Sequence, residues 1–161
     1  MPGPEQALAR KRLLGWSLAF REVAPGVDLG RDLVLTDESS SSELERVEGS
    51  DNLAQSLQVA LTSALGSDVL NVGFGFDGLN ALAEETDPAL ARERVRVAVV
   101  NTLRRDPRVL RIIDLQLADD SDEPGAAGSV DSWRTVNVRV AFETVGGERA
   151  SVSVGGVSTV A

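Results

Sequence analysis

Cysteine and histidine are both missing from the 161 residues, and lysine is represented by Lys11 alone. Without cysteine there is no disulfide, no thiolate zinc site and no cysteine nucleophile. Without histidine the chain lacks the commonest general base, the imidazole of Ser-His-Asp hydrolysis and the usual transition-metal ligand. A single lysine leaves little room for lysine chemistry. Aromatic residues make up only 4%, so the core has to be built from Val, Leu, Ile and Ala. No apolar run approaches the roughly 18–20 residues that span a bilayer. The N-terminal MPGPEQALARKRLLGW is basic but has no long apolar stretch, so neither membrane insertion nor a signal peptide is expected. Cytoplasmic synthesis is the expectation that follows.

What is present is ordinary for a globular domain: 42% hydrophobic residues, 25% charged, and a length that suits one core. The net charge of -9 argues against a nucleic-acid partner, because phosphate binding needs clustered cations. Charge is nonetheless segregated. Arg92 to Arg111 holds seven arginines, and the stretches Asp37–Asp51 and Asp114–Glu123 are acidic. Blocks of opposite sign suit complementary protein contacts; they equally suit solvated loops around a basic helix.

Hydrophobic periodicity organises the rest. Residues 1–12 read as a polar, Pro-containing tail, and Leu13–Phe20 as a short strand or docked extended segment. TDESSSSELE reads as a loop. Leu53, Leu57, Ala60, Leu61, Ala64 and Leu65 recur at helical spacing, which predicts a helix over 51–66 capped by Ser50 or Asp51 and closed by Gly66. A short helix is expected over Leu79–Glu85. Asp87-Pro88 is an N-cap followed by Pro at N1, so a second long helix is expected over 87–105. Its Val95–Val99 segment also alternates like a strand; the cap and length favour helix. Asp106-Pro107 ends it. Strands follow over 109–117, 133–142 and 149–154, with Gly146-Gly147 as a two-residue hairpin signal. The fold class is α+β: a three-stranded antiparallel meander packed against two amphipathic helices, with an extended N-terminal segment. In domain terms this is an extension over 1–48, a domain over 49–155 and a tail over 156–161, either a loose end or a segment that pairs in an assembly.

Four constellations could carry chemistry. Gly73–Gly78 has GxGxxG spacing but neither the long helix nor the acidic ribose ligand of a dinucleotide site, so a tight loop between helices is expected. Glu84, Glu85, Asp87 and Asp114 could supply paired carboxylates for glycoside cleavage, as a peptidoglycan hydrolase would need, but their settings are polar. The acidic loop Asp119–Glu123 lacks the alternating ligands and glycine of a calcium loop. Asp106-Pro107-Arg108 is the most informative: Pro fixes the backbone at a helix-to-strand junction and holds Arg108 where its fork could meet a carboxylate or helix C-terminal carbonyls. A plain exposed turn is the alternative. No catalytic residue, cofactor or metal is assigned.

Taken in order, Gly15-Trp16-Ser17, Val47-Glu48-Gly49, Asn52–Leu57, Leu61–Gly66, the helix ending in Leu103 and Asp106-Pro107-Arg108 before a strand resemble the small lysozyme-like baseplate wedge family. That family serves contractile phage tails, type VI secretion and extracellular contractile injection systems. The resemblance covers about residues 13–155. It implies a structural subunit of a phage tail-like particle, in which Asp106, Pro107 and Arg108 engage larger wedge subunits. It also implies that the C-terminal sheet, with Arg139 and Val152 among its contacts, templates the first sheath ring by strand addition. Spike, hub or inner tube proteins are further implied neighbours. The family's usual motif is Glu-Pro-Arg, where this chain has the shorter Asp106. A proline within 135–141 should block sheath nucleation if that strand borders the incoming one. A stand-alone acidic adaptor is the other alternative.

Overall fold

The computed structural model describes residues 4–24, 27–36, 43–119 and 136–157. The chain is mixed α and β, and it divides into two compact units, Met1–Leu53 and Ala54–Ala161.

The first unit opens with helix α1 (Pro4–Leu14) where a polar tail was expected. Helix-forming Ala, Leu, Gln and Arg dominate it, Pro stands in the first turn with Glu5, and Lys11 and Arg12 close it, so charge opposes the helix dipole at both ends. Its weak amphipathicity hides it from a periodicity search. Gly15, at φ +74, ends α1 by donating its N–H to the Lys11 carbonyl at 3.0 Å. The buried Asn52 amide donates to the Leu14 carbonyl at 2.8 Å.

Six short strands follow as three antiparallel ribbons. Strand β1 (Trp16–Leu18) pairs with β6 (Arg46–Glu48), β2 (Phe20–Ala24) with β3 (Val27–Leu33), and β4 (Leu35–Thr36) with β5 (Glu43–Leu44). The ribbons meet at a closed ring of backbone hydrogen bonds. Ala19 N–H donates to the Glu45 carbonyl at 2.8 Å, Glu45 N–H to Val34 at 2.8 Å, and Val34 N–H to Ala19 at 3.0 Å. Two ribbons carry a diagonal cation–π pair: Arg46 lies 4.8 Å from the Trp16 ring centroid and Arg31 lies 5.6 Å from that of Phe20. The expected loop over 36–45 therefore contains β5, while 37–42 lie outside the described residues.

The unit boundary falls inside α2 (Gly49–Thr62). Leu53, Leu57 and Leu61 are buried as their spacing predicts, but the helix stops four residues short of Gly66. The reason is competition for its last groups. Thr62 and Ser63 hydroxyls donate back to the Gln58 and Val59 carbonyls, and the Leu65 and Gly66 amides are taken by Phe76 and Phe74 of the returning chain.

In the second unit, α3 (Gly78–Glu84) precedes α4 (Pro88–Arg105). Asp87 caps α4 as read from the sequence, its carboxylate accepting from Ala89 N–H at 2.8 Å. Ala91, Val95, Val99, Thr102 and Leu103 form its buried stripe, so Val95–Val99 is helical. Strands β7 (Val109–Asp119), β8 (Val136–Thr144) and β9 (Arg149–Val157) form an antiparallel sheet in the order β7-β8-β9. Val136, Val138, Val140, Phe142 and Thr144 of β8 are buried, as are Val152 and Val154 of β9. The β8–β9 hairpin has three loop residues, Val145-Gly146-Gly147, instead of two. Thr144 N–H bonds the Glu148 carbonyl at 2.8 Å and Gly147 adopts φ +77, the geometry of a turn followed by a left-handed residue. The expected strand residues 133–135, most of the acidic loop (Asp120–Glu123) and tail residues 158–161 lie outside the described residues; Gly156 and Val157 belong to β9. No described helix is long and apolar enough to cross a membrane.

Candidate docking surface

The junction between α4 and β7 is built by Asp106. Its N–H still donates to the Leu103 carbonyl at 3.2 Å, closing the helix, while its extended ψ and the following Pro prevent another turn. Its carboxylate then turns toward Arg108. Oδ1 accepts from the Arg108 backbone N–H at 3.0 Å and from Nε at 2.9 Å, and Oδ2 accepts from Nη2 at 2.7 Å. The fork-to-carboxylate contact expected toward a partner is thus made inside the motif, and the reach of aspartate suffices for it. Burial alone would push the Asp106 carboxyl up; the hydrogen bonds and positive charge of Arg108 outweigh it and hold its pKa below the usual carboxylate range. The same hydrogen bonds from the guanidinium raise Arg108, against the opposing effect of burial. Pro107 is exposed, and the Arg108 carbonyl accepts from Val145 N–H at 2.9 Å, tying the junction to the β8–β9 hairpin.

The sheet residues nominated from sequence do not join this cluster. Arg139 is exposed in the middle of β8, opposite Gln116 and Ser153. Val152 is 4% exposed on the other face, opposite Val140. Its side chain is a core residue. Strand β8 is the middle strand, so it cannot border an incoming one; a proline there would break the sheet itself.

The open edges are β7 and β9, neither of which has a second strand partner among the described residues. They differ. Strand β7 carries two bulges, between Val109 and Arg111 and between Ile112 and Asp114. Strict alternation from Val109 would turn Arg111 inward. The first bulge turns it outward to Glu143, which it meets at 2.7 Å, and turns Ile112 inward opposite Phe142; the second restores the original phase, with Leu115 and Leu117 inward. The two residues without a cross-strand partner, Leu110 and Ile113, are left exposed. Such bulges blunt an edge.

Strand β9 is regular over Arg149–Val154. The Thr144–Glu148 bond makes that pair hydrogen-bonded, and antiparallel alternation does the same for Phe142/Ala150 and Val140/Val152. The N–H and C=O groups of Arg149, Ser151 and Ser153 therefore point away from β8. The Ser153 carbonyl accepts from the Gln58 amide of α2 at 3.4 Å, as that orientation requires. Ser151 and Ser153 are short and exposed. The sequence showed the strand; its phase came only with the hairpin bonds.

The carboxylates nominated for hydrolysis have structural partners. Glu85 and Glu84 bind the two ends of the Arg94 fork, Asp87 caps α4, and Asp114 accepts from Gln116 at 2.9 Å. In the glycine-rich segment, a Cβ at Gly75 would lie 2.7 Å from the Ala64 carbonyl oxygen, and one at Gly78 would lie 2.0 Å from the Phe76 ring. Gly75 lets the returning chain lie against the Ala64 backbone, and Gly78 leaves room for the Phe76 ring. No protein-family model matches the chain, and no curated protein matches it significantly.

Proposed function

We propose that this chain is a non-catalytic structural subunit of a contractile injection baseplate, which links larger wedge subunits to the sheath and starts the first sheath ring by strand addition. The observation that carries this reading is the regular outer edge of β9. Its outward main-chain groups at Arg149 and Ser151 offer donors and acceptors to an added strand, while the Ser153 carbonyl is already engaged by the Gln58 amide of α2. Helix α4 packs against β7 and stiffens the sheet as a platform. The Asp106-Pro107-Arg108 junction, fixed by its own ion pair, presents a rigid corner to the wedge subunits.

Ser151→Pro tests the reading. The Ser151 N–H points away from β8, so proline removes an outward donor while the sheet ladder stays intact. In titrations with a purified sheath protein of a contractile injection system, Ser151→Pro should lose binding, and Leu117→Pro on the β7 edge should keep it. Equal binding by wild type and Ser151→Pro would rule out addition at β9.

A further inference from the structure

Three of the most exposed aliphatic side chains lie together at the tip of the loop 63–77 between α2 and α3. Val69 is 84% exposed, Leu70 96% and Val72 69%. Single exposed aliphatics are common and need no explanation. Three within four residues, on a loop that is hydrogen-bonded throughout, are different. The neck is closed by Phe76 N–H to the Ser63 carbonyl at 2.8 Å, Leu65 N–H to Phe76 at 3.2 Å and Gly66 N–H to Phe74 at 3.3 Å. The tip is turned by Asn71 N–H to the Asp68 carbonyl at 3.1 Å and Phe74 N–H to Asn71 at 2.9 Å, while the Asp68 carboxylate accepts from Leu70 N–H at 2.9 Å. Phe76 is buried beneath the neck, and Gly75, at φ +109, sits where a side chain would strike backbone. The tip therefore keeps one shape, and the ordering that binding would otherwise require is already complete.

The chemistry of the tip selects its occupant. Asp68 is the only charged residue in 67–76, and its carboxylate is engaged inside the loop. Loops that enter bilayers bring basic residues for the headgroups, or Trp and Tyr for the interface; this tip has none of them. A second copy would bring the same net charge of -9 and an identical tip. An apolar socket on a different protein matches all three side chains. Arg105 places that protein: its Nη1 donates to the Gly73 carbonyl at 3.3 Å, tying the loop to the last turn of α4, next to Asp106-Pro107-Arg108.

We infer that Val69, Leu70 and Val72 form a preordered apolar plug that seats in a socket on the larger subunit docking at the α4–β7 junction. This rests on the structural-subunit reading. The full chain would be titrated against a large wedge protein and a sheath protein of a contractile injection system, each purified separately. Leu70→Asp, at a site too exposed to affect folding, should keep the wild-type circular dichroism spectrum and bind the wedge protein at least about a hundredfold more weakly, because an unpaired charge would be buried. Leu90→Asp, half-exposed at the start of α4, should bind as wild type. Undiminished binding by Leu70→Asp overturns the plug, and so does an equal loss in Leu90→Asp, which would be a general charge effect. Self-association of the wild type that Leu70→Asp abolishes would assign the tip to a second copy instead. Flotation with phosphatidylglycerol vesicles that is lost in Leu70→Asp would assign it to a membrane. If the wild type binds neither protein, the structural-subunit reading falls and the plug assignment with it.

Discussion

Ala54–Ala161 buries apolar side chains from three helices and a sheet, among them Leu57, Leu61, Leu82, Val95, Leu103, Val140 and Phe142. Among the residues of Met1–Leu53 whose side chains are described, only Leu14, Asn52 and Leu53 are buried. The second unit is held by apolar area removed from water, which sums over many residues and tolerates the loss of any one polar contact. The first is held by ribbon pairing, two cation–π pairs and the three-membered ring at Ala19, Val34 and Glu45. Each of those contributions is small alone, and the ring depends on all three members. One region resists polar damage and the other resists apolar damage.

Substitutions that exchange these dependences test the contrast. Phe142→Ala should destabilise the second unit by about 3–5 kcal/mol in chemical denaturation, because a fully buried ring is replaced by a cavity. A loss below 1 kcal/mol would mean that the sheet face is not the core. Val34→Pro removes one donor from the ring and strands the Ala19 carbonyl, which should cost about 1–3 kcal/mol. Limited proteolysis should then open the first unit while the second keeps wild-type resistance; simultaneous opening of both would erase the contrast. Asp106→Asn should cost only about 1 kcal/mol at neutral pH, since the pair is partly screened by water. The sign follows from linkage. A carboxyl with a lowered pKa stabilises the fold above its ordinary value of 3.8 and loses that contribution as pH falls through the lower folded value. The wild-type advantage should therefore shrink in acid, and an advantage that grew there would contradict the pairing with Arg108.

Legibility followed the same division. Leu53, Leu57 and Leu61, the Asp87-Pro88 start of α4, its Asp106-Pro107 end and the alternation of β8 were all visible, because burial imposes a period and capping imposes residue types. Helix α1 was not visible, since its leucines make no stripe; Leu13–Phe20 read as a short strand or docked segment, but the pairing into ribbons was not visible, since strands of two to seven residues give no local sign of their partners. The bulges of β7 escaped for another reason. VLRIID gives no local sign of which residue the partner strand will skip. Of the candidate site, Asp106, Pro107 and Arg108 were legible as a unit, but Arg139 and Val152 were grouped although they occupy opposite faces.

By itself, then, the amino-acid order determined where helices start and stop around α4, which residues of β8 face inward, and that these 161 residues supply no cysteine or histidine chemistry. Those are local matters of dihedral preference, periodicity and side-chain type. Only the tertiary structure decided which strand is central and which edge is regular, that the Arg108 fork turns onto its own Asp106, and that Val69, Leu70 and Val72 stand out in solvent. Strand order and edge regularity depend on contacts between residues far apart in the chain, which no short window of sequence contains; Asp106 and Arg108 share one window, but it leaves open whether the fork turns onto its own carboxylate or outward.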